Sequence, residues 1–266
     1  MMLKQQCLIC SSVLIPVSLS SILFATILAL FLVVASNRSL AAEYVIGTDP
    51  WPPFTIMEKG VPSGIDVDFL KEIEKRLPDV TFRFEEIPWV RALHYMETGR
   101  IDAITGLAKR PDREKYITYT SPPYYSDCSS RFYMRKGLGQ YIKQYEDLYH
   151  FEVGYVVNSA YFDPFDTDEK LNKYSVTHEE QLLKMLGNGR LDVIIGTNCQ
   201  VDYDIKLSGL LGRFEQAEYR PGNNVHLYLG LSKKSAITEI LPQLNQVIQQ
   251  LKDEGVIDKI AEKYFK

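Results

Sequence analysis

A short pattern occurs twice in this chain. Residues 96–106 read Met-Glu-Thr-Gly-Arg-Ile-Asp-Ala-Ile-Thr-Gly, and residues 186–196 read Leu-Gly-Asn-Gly-Arg-Leu-Asp-Val-Ile-Ile-Gly. Both fit apolar-x-x-Gly-Arg-[Ile/Leu]-Asp-x-Ile-x-Gly, and each follows a helix-like segment, residues 89–97 before the first copy and 179–186 before the second. The pattern describes a helix stopped at glycine, a short buried strand, and a second glycine where the chain turns. Glycine suits helix ends and tight turns because it has no Cβ to clash at positive φ. Residues 101–104 and 191–195 are nearly all apolar apart from one Asp each, as in a strand covered on both faces by helices. A single match is compatible with chance, since helix–glycine–strand is common in α/β proteins. Two matches in equivalent contexts point to two similar α/β lobes.

The rest of the chain fills in those lobes. Residues 44–48 form a strand. Ile65, Phe69, Ile73 and Leu77 are spaced by four and line one face of a helix that Pro78 ends. Val80, Phe82 and Phe84 alternate with polar residues, as a half-buried strand does. A strand over 152–157 opens the second lobe, a strand covers 226–232, and residues 236–251 and 256–264 read as amphipathic helices. Strands alternating with helices imply largely parallel sheets.

The first 42 residues stand apart from that fold. Lys4 is followed by an uncharged run from residue 5 to 37, and Ser39-Leu40-Ala41-Ala42 is a small-residue cleavage site, the signature of an export signal. The apolar stretch, residues 13–35, is also long enough for the ~20 residues that span a bilayer, so a retained anchor is the alternative. Either way, residues from 43 onward face the outside of the inner membrane. Removing the leader leaves Cys128 and Cys199. Export favours pairing, and two free buried cysteines are the other reading. A net charge of −4 gives no electrostatic reason to expect nucleic acid. The histidines at 94, 150, 178 and 226 show no metal-ligand spacing.

Five segments, in order, then resemble one family. They are Gly47-Thr48-Asp49-Pro50-Trp51-Pro52-Pro53-Phe54, Gly64-Ile65-Asp66-Val67-Asp68, Gly99-Arg100-Ile101-Asp102-Ala103-Ile104, Arg110-Pro111-Asp112-Arg113-Glu114-Lys115 with Thr120-Ser121-Pro122-Pro123-Tyr124, and Leu251-Lys252-Asp253-Glu254-Gly255-Val256 through Lys263-Tyr264-Phe265. Over about residues 44–266 the chain is similar to the family 3 extracellular solute-binding proteins, the amino-acid-binding group of ABC importers. The resemblance implies an α/β type II periplasmic binding fold. Its two lobes have mixed, mostly parallel sheets joined by a two-strand hinge near 126–132 and 221–228. Lobe 1 would hold residues 43–128 plus 222–266, and lobe 2 residues 129–221. A small polar solute, an amino acid or small carboxylate, would sit between the lobes and shut them. The resemblance implies a monomer in the periplasm, without a cofactor, that hands its solute to the membrane subunits of an ABC importer.

The site follows residue by residue. Ligands of open α/β sheets bind beyond the C-terminal ends of strands, so Thr105 and Gly106 should face Gly196 and Thr197 across the cleft. Arg113 matches the family's carboxylate-binding arginine, whose planar fork pairs with a carboxylate; the competing reading is a surface arginine paired with Asp112 or Glu114. Trp51 and Trp89 sit where stacking aromatics are expected, while Phe54 reads as packing. Asn158 and Ser159 match a loop that caps a helix, whose N–H groups would hold an anion. Three positions depart from the family pattern: Thr197 replaces an ammonium-binding aspartate, Ala108 a serine or threonine, and Ala160 a threonine. Asp202 or Asp204 would be the substitutes for the missing carboxylate. Two other functions stay open. One is a dehydratase-like enzyme using a cleft carboxylate, with Glu85 and Glu86 as candidates. The other is a membrane-associated ligand sensor.

Overall fold

The computed structural model describes residues 41–222 and 224–266. The leader read from residues 1–42 lies, but for its last two residues, outside the described residues. β1 (Ala42–Thr48) is followed by a small hairpin, β2 (Ile56–Glu58) and β3 (Val61–Ser63), then α1 (Ile65–Arg76), β4 (Val80–Glu86), α2 (Trp89–Thr98), β5 (Ala103–Leu107) and β6 (Ile117–Tyr119). The long β7 (Tyr125–Arg135) leads to β8 (Val153–Val156), β9 (Lys173–Val176), α3 (Glu179–Gly187), β10 (Val193–Thr197), α4 (Asn198–Leu207) and β11 (Phe214–Gln216). β12 (Asn224–Ser232), α5 (Leu241–Asp253) and α6 (Val256–Phe265) follow.

The strands run in the order β4-β1-β5-β12-β7-β10-β8-β9, with β6 paired to β12 and β11 to β7. Each half has the same plan. In the first, β1 lies between β4 and β5, both parallel to it, and β12 runs antiparallel beyond β5. In the second, β8 lies between β9 and β10, both parallel to it, and β7 runs antiparallel beyond β10. The two copies of the sequence repeat supply β5 and β10, which hold equivalent places. β7 and β12 each serve both halves. They pair with one another through Val225 with Cys128 and Leu227 with Tyr125, while Ser130 of β7 pairs with Thr197 and Leu231 of β12 with Ala103.

Burial explains the near-continuous apolar character of the repeat strands. Val193 and Ile195 of β10 face a core with Phe132, Met134 and Phe165, while Ile194 faces Leu182, Leu186 and Val201 from α3 and α4. On β5, Ala103 joins the core of Phe69, Leu244 and Ile248, and Ile104 joins that of Leu93 and Met96. Both faces of each half-sheet are therefore covered. α1 buries Ile65, Phe69 and Ile73 and stops at Leu77, whose N–H returns to the Ile73 carbonyl just before Pro78. α2 ends at Gly99 in the left-handed region at φ 78°.

Some elements differ from their sequence reading. The repeat strands start two residues late, at Ala103 and Val193. Asp102 accounts for the first: its carboxylate accepts the Val45 N–H at 2.6 Å and the Ser235 hydroxyl at 2.5 Å, pinning the approach to the strand. Neither second glycine ends its strand. Gly106 sits inside β5 at φ 69°, beside the register shift in β12, and β10 continues through Gly196 to Thr197 before turning into α4. The helix expected over 236–251 is a 3-10 turn, Ala236–Ile240, followed by α5. Pro242 lies in the first turn of α5, where a missing N–H costs no hydrogen bond.

Cys128 of β7 and Cys199 of α4 form a disulfide, with Cα atoms 5.4 Å apart. The Asn198 side chain accepts the Ser129 N–H at 2.7 Å beside it. Together these tie the first turn of α4, and Thr197 before it, to a strand shared by both halves.

Candidate functional site

The C-terminal ends of five parallel strands converge on one cavity of about 140 Å³. Thr48, Asp49, Pro50 and Trp51 come from the end of β1, and Thr105, Gly106 and Ala108 from the end of β5. Ser159, Ala160 and Tyr161 follow β8, Thr177, His178 and Glu179 follow β9, and Thr197 ends β10. Trp89 from α2, Asp66 from α1, and Arg113 complete most of the polar wall. This is the position that a parallel α/β arrangement reserves for ligands. Gly106 has to be small: a Cβ there would lie 3.0 Å from the Trp51 ring.

Arg113 lies in a 3-10 turn, Arg113–Lys115, and is only 2 % exposed. It is not paired with a neighbouring acid on the surface: Asp112 accepts instead from Arg110 at 3.0 Å. Its guanidinium donates to the carbonyls of Ala108, at 3.0 Å, and Asn158, and lies 5.2 Å from the centre of the Trp89 ring. Burial pulls its pKa down from the ordinary arginine value, because a charge removed from water is costly unless paired.

The two sides of the cavity touch. Arg110 donates to the Ser159 carbonyl at 2.9 Å, Arg113 to the Asn158 carbonyl, and His178 Nδ1 lies 3.6 Å from Asp49 Oδ2. Asn158 therefore meets Arg113 through its carbonyl and lines a second hollow behind it, with Asp112 and Tyr116, while the other sequence-derived site residues line the main cavity. The loop beginning at Asn158 does not cap a helix; the chain runs through turns to β9. The Ser159 N–H is already bonded to the Val156 carbonyl at 3.1 Å, so the helix-terminus anion site expected there is not formed.

Three carboxyl groups, Asp49, Asp66 and Glu179, belong to the remaining polar lining. Asp66 is buried, accepts from the Tyr124 hydroxyl at 2.6 Å, and has its pKa pushed up to about 6 because burial outweighs its hydrogen bonds. Asp49 accepts the Trp89 backbone N–H at 2.9 Å, and burial again raises its pKa. Glu179, the first residue of α3, is pushed up to about 8 by burial, and then by the charge of Asp204, despite a hydrogen bond from the Trp51 side chain. Three buried polar atoms of the lining have no protein partner: Glu179 Oε2, Trp89 Nε1 and Thr197 Oγ1.

Sequence reasoning missed Glu179, which lies just past the C-terminal end of β9, the same kind of position as Thr197 at the end of β10. The suggested substitutes for the missing aspartate lie elsewhere. Asp202 accepts from the Tyr133 hydroxyl at 2.9 Å, Asp204 bonds Gln200, and neither lines the cavity. Glu85 and Glu86, on β4, do not line it either. Phe54 is fully buried and stacks under Trp51 with ring centres 4.5 Å apart.

Known proteins share this architecture. The amino-acid-binding protein AbpA of Streptococcus pneumoniae, solved bound to L-arginine, superposes with a TM-score of 0.71 at 20% identity, over 84% of this chain and 94% of that one. The likeness establishes the two-lobe type II periplasmic binding fold. Among curated relatives, the probable amino-acid-binding protein YxeM of Bacillus subtilis is 23% identical over 224 residues, covering 80% of each chain. The L-cystine-binding protein TcyJ of the same organism is 27% identical over 238 residues, covering 82% of this chain and 81% of that one. The family model described as bacterial extracellular solute-binding proteins, family 3, matches residues 44–266. With that match spanning both halves of the sheet, this chain belongs to the family 3 bacterial extracellular solute-binding proteins.

Proposed function

We propose that this protein captures an amino acid in the periplasm, closes two lobes over it, and delivers it as a monomer to the membrane subunits of an ABC importer. Lobe 1 comprises residues 43–128 plus 222–266 and lobe 2 residues 129–221, and β7 and β12 pair with strands of both halves. The observation that carries this reading is Arg113, a buried guanidinium that faces the cleft with carbonyls as its hydrogen-bond partners. A solute carboxylate supplies the counter-charge it lacks, through the bidentate geometry that suits arginine. The L-arginine bound in the related AbpA structure and the cystine-binding role of TcyJ support an amino acid as that solute. The reading is of a binding protein rather than an enzyme, and it is supported by Glu85 and Glu86, the acids first considered for catalysis, lying outside the cavity lining.

The test is a thermal-shift screen of residues 43–266 against the common amino acids, cystine and small carboxylates, with tryptophan emission as a second readout. A solute present at a hundred times its dissociation constant should add ~2.7 kcal/mol of stability, and its arrival beside Trp51 and Trp89 should change the emission. A screen in which no amino acid or carboxylate moves the melt contradicts the proposal.

A further inference from the structure

We infer that Glu179 holds the positively charged nitrogen of the solute, so that the cleft selects carboxylates that also carry a cationic nitrogen. The inference rests on the solute-binding reading above and adds the residue that replaces the aspartate missing at Thr197.

Three observations converge. First, Glu179 Oε2 lines the cavity, is fully buried, and has no partner in the protein. An unpaired buried acceptor of this kind is expensive, and a cationic N–H donor satisfies it. Second, the charges that act on Glu179 most strongly are those of Asp204 and Asp49, both acidic. The nearest basic side chain on its own helix, Lys184, is paired with Glu180 at 2.5 Å, and His178 leans toward Asp49. The corner is thus a cluster of carboxyl groups whose ionisation at Glu179 neither Lys184 nor His178 compensates, with Asp66 a further carboxyl of the same cavity. Third, Thr197 at the end of β10 lines the same cavity with a neutral hydroxyl that is itself unpartnered, leaving room for a further polar group of a solute. Glu179 is the lining carboxyl that combines a free oxygen with a position on the half of the cavity opposite Arg113. The Trp51 side chain donates to Glu179 across the cleft and holds its carboxyl in place.

A measurable consequence is proton release. Empty, Glu179 keeps its proton up to about pH 8; a bound cation favours the carboxylate, so binding expels that proton below this pH and does not above it. Affinity for a cationic solute therefore rises with pH until Glu179 is ionised without help. Asp204, at about 7, and Asp66, at about 6, also titrate nearby, so the variant comparison isolates Glu179.

The experiment titrates L-arginine, L-histidine, L-glutamine, L-cystine, glutaramate and butyrate into wild-type protein, Glu179→Gln and Asp204→Asn. Calorimetry in two buffers of different ionisation enthalpy reads proton release, and melting curves check folding. Glu179→Gln should weaken the bound amino acid by roughly ten- to a hundredfold and abolish its share of the proton release, while Asp204→Asn, which leaves burial as the main cause of the raised Glu179 pKa, reduces that share without abolishing it. Glutaramate and butyrate, which lack a cationic nitrogen, should bind weakly to all forms. Unchanged affinity in Glu179→Gln, or wild-type binding near neutral pH without proton release, overturns the inference while leaving the solute-binding reading intact. Wild-type protein that binds none of the amino acids overturns both. Consumption of a probe during incubation, lost in Glu179→Gln, would overturn it in favour of Glu179 as a proton donor in a reaction.

Discussion

Asp66 illustrates the cost of placing charge in the cleft. Tyr124 donates to it at 2.6 Å, yet burial lifts its pKa from 3.8 to about 6. The folded chain then binds a proton that the unfolded chain has already released between these values. Stability from this group is therefore greatest below about pH 4 and falls by roughly 3 kcal/mol as pH rises through about 6. Asp66→Asn should flatten that part of the profile, seen as a smaller loss in urea midpoint between about pH 4 and 6 than in the wild type; an unchanged slope would contradict the assignment. The sequence made some of this neighbourhood legible. Thr105, Gly106 and Thr197 are legible because strand ends carry ligand sites, and Trp51 and Arg113 because their flanking motifs resemble those of the family. Asp49 and Asp66 were in the quoted motifs, but whether a carboxylate is buried depends on partners distant in sequence, such as Tyr124. Glu179 was read only as the start of a helix, since its pairing with Trp51 is set by the approach of the two halves.

At the scale of elements, helices with clear stop signals were placed well. Gly99 and Pro78 mark the ends of α2 and α1 within a residue or two. The repeat strands were misplaced by two residues because apolar residues before a strand can be buried without joining its ladder, as Ile101 is at 1 % exposure. The Cys128–Cys199 bridge, which export favours, joins β7 to α4. It closes a sequence separation of 71 residues, for which the chain-entropy model gives ~4 kcal/mol. Replacing both cysteines by serine should cost about 2–5 kcal/mol in denaturant unfolding and weaken solute binding, since Thr197 and the first turn of α4 lose an anchor to β7. A double variant as stable as the wild type would show that the Asn198–Ser129 hydrogen bond and local packing suffice.

For the whole molecule, the repeat was the decisive signal, because two copies in equivalent contexts required two halves of one plan, and β5 and β10 occupy matching places. The closed arrangement was not legible. It rests on Arg110 and Arg113 reaching carbonyls of the opposite half, and on His178 approaching Asp49. In this account Arg113 both latches the halves and receives the solute. The most direct test of the central claim is calorimetric titration of the wild-type protein with the amino acid that emerges from the screen and with its carboxamide, which keeps the side chain and amine but lacks the carboxylate. The account predicts that the carboxamide binds about ten- to a hundredfold more weakly, and that Arg113→Lys, checked for folding by its melting curve, narrows that gap. Equal affinity for the acid and its carboxamide would contradict the claim that a carboxylate at Arg113 is what the cleft closes upon.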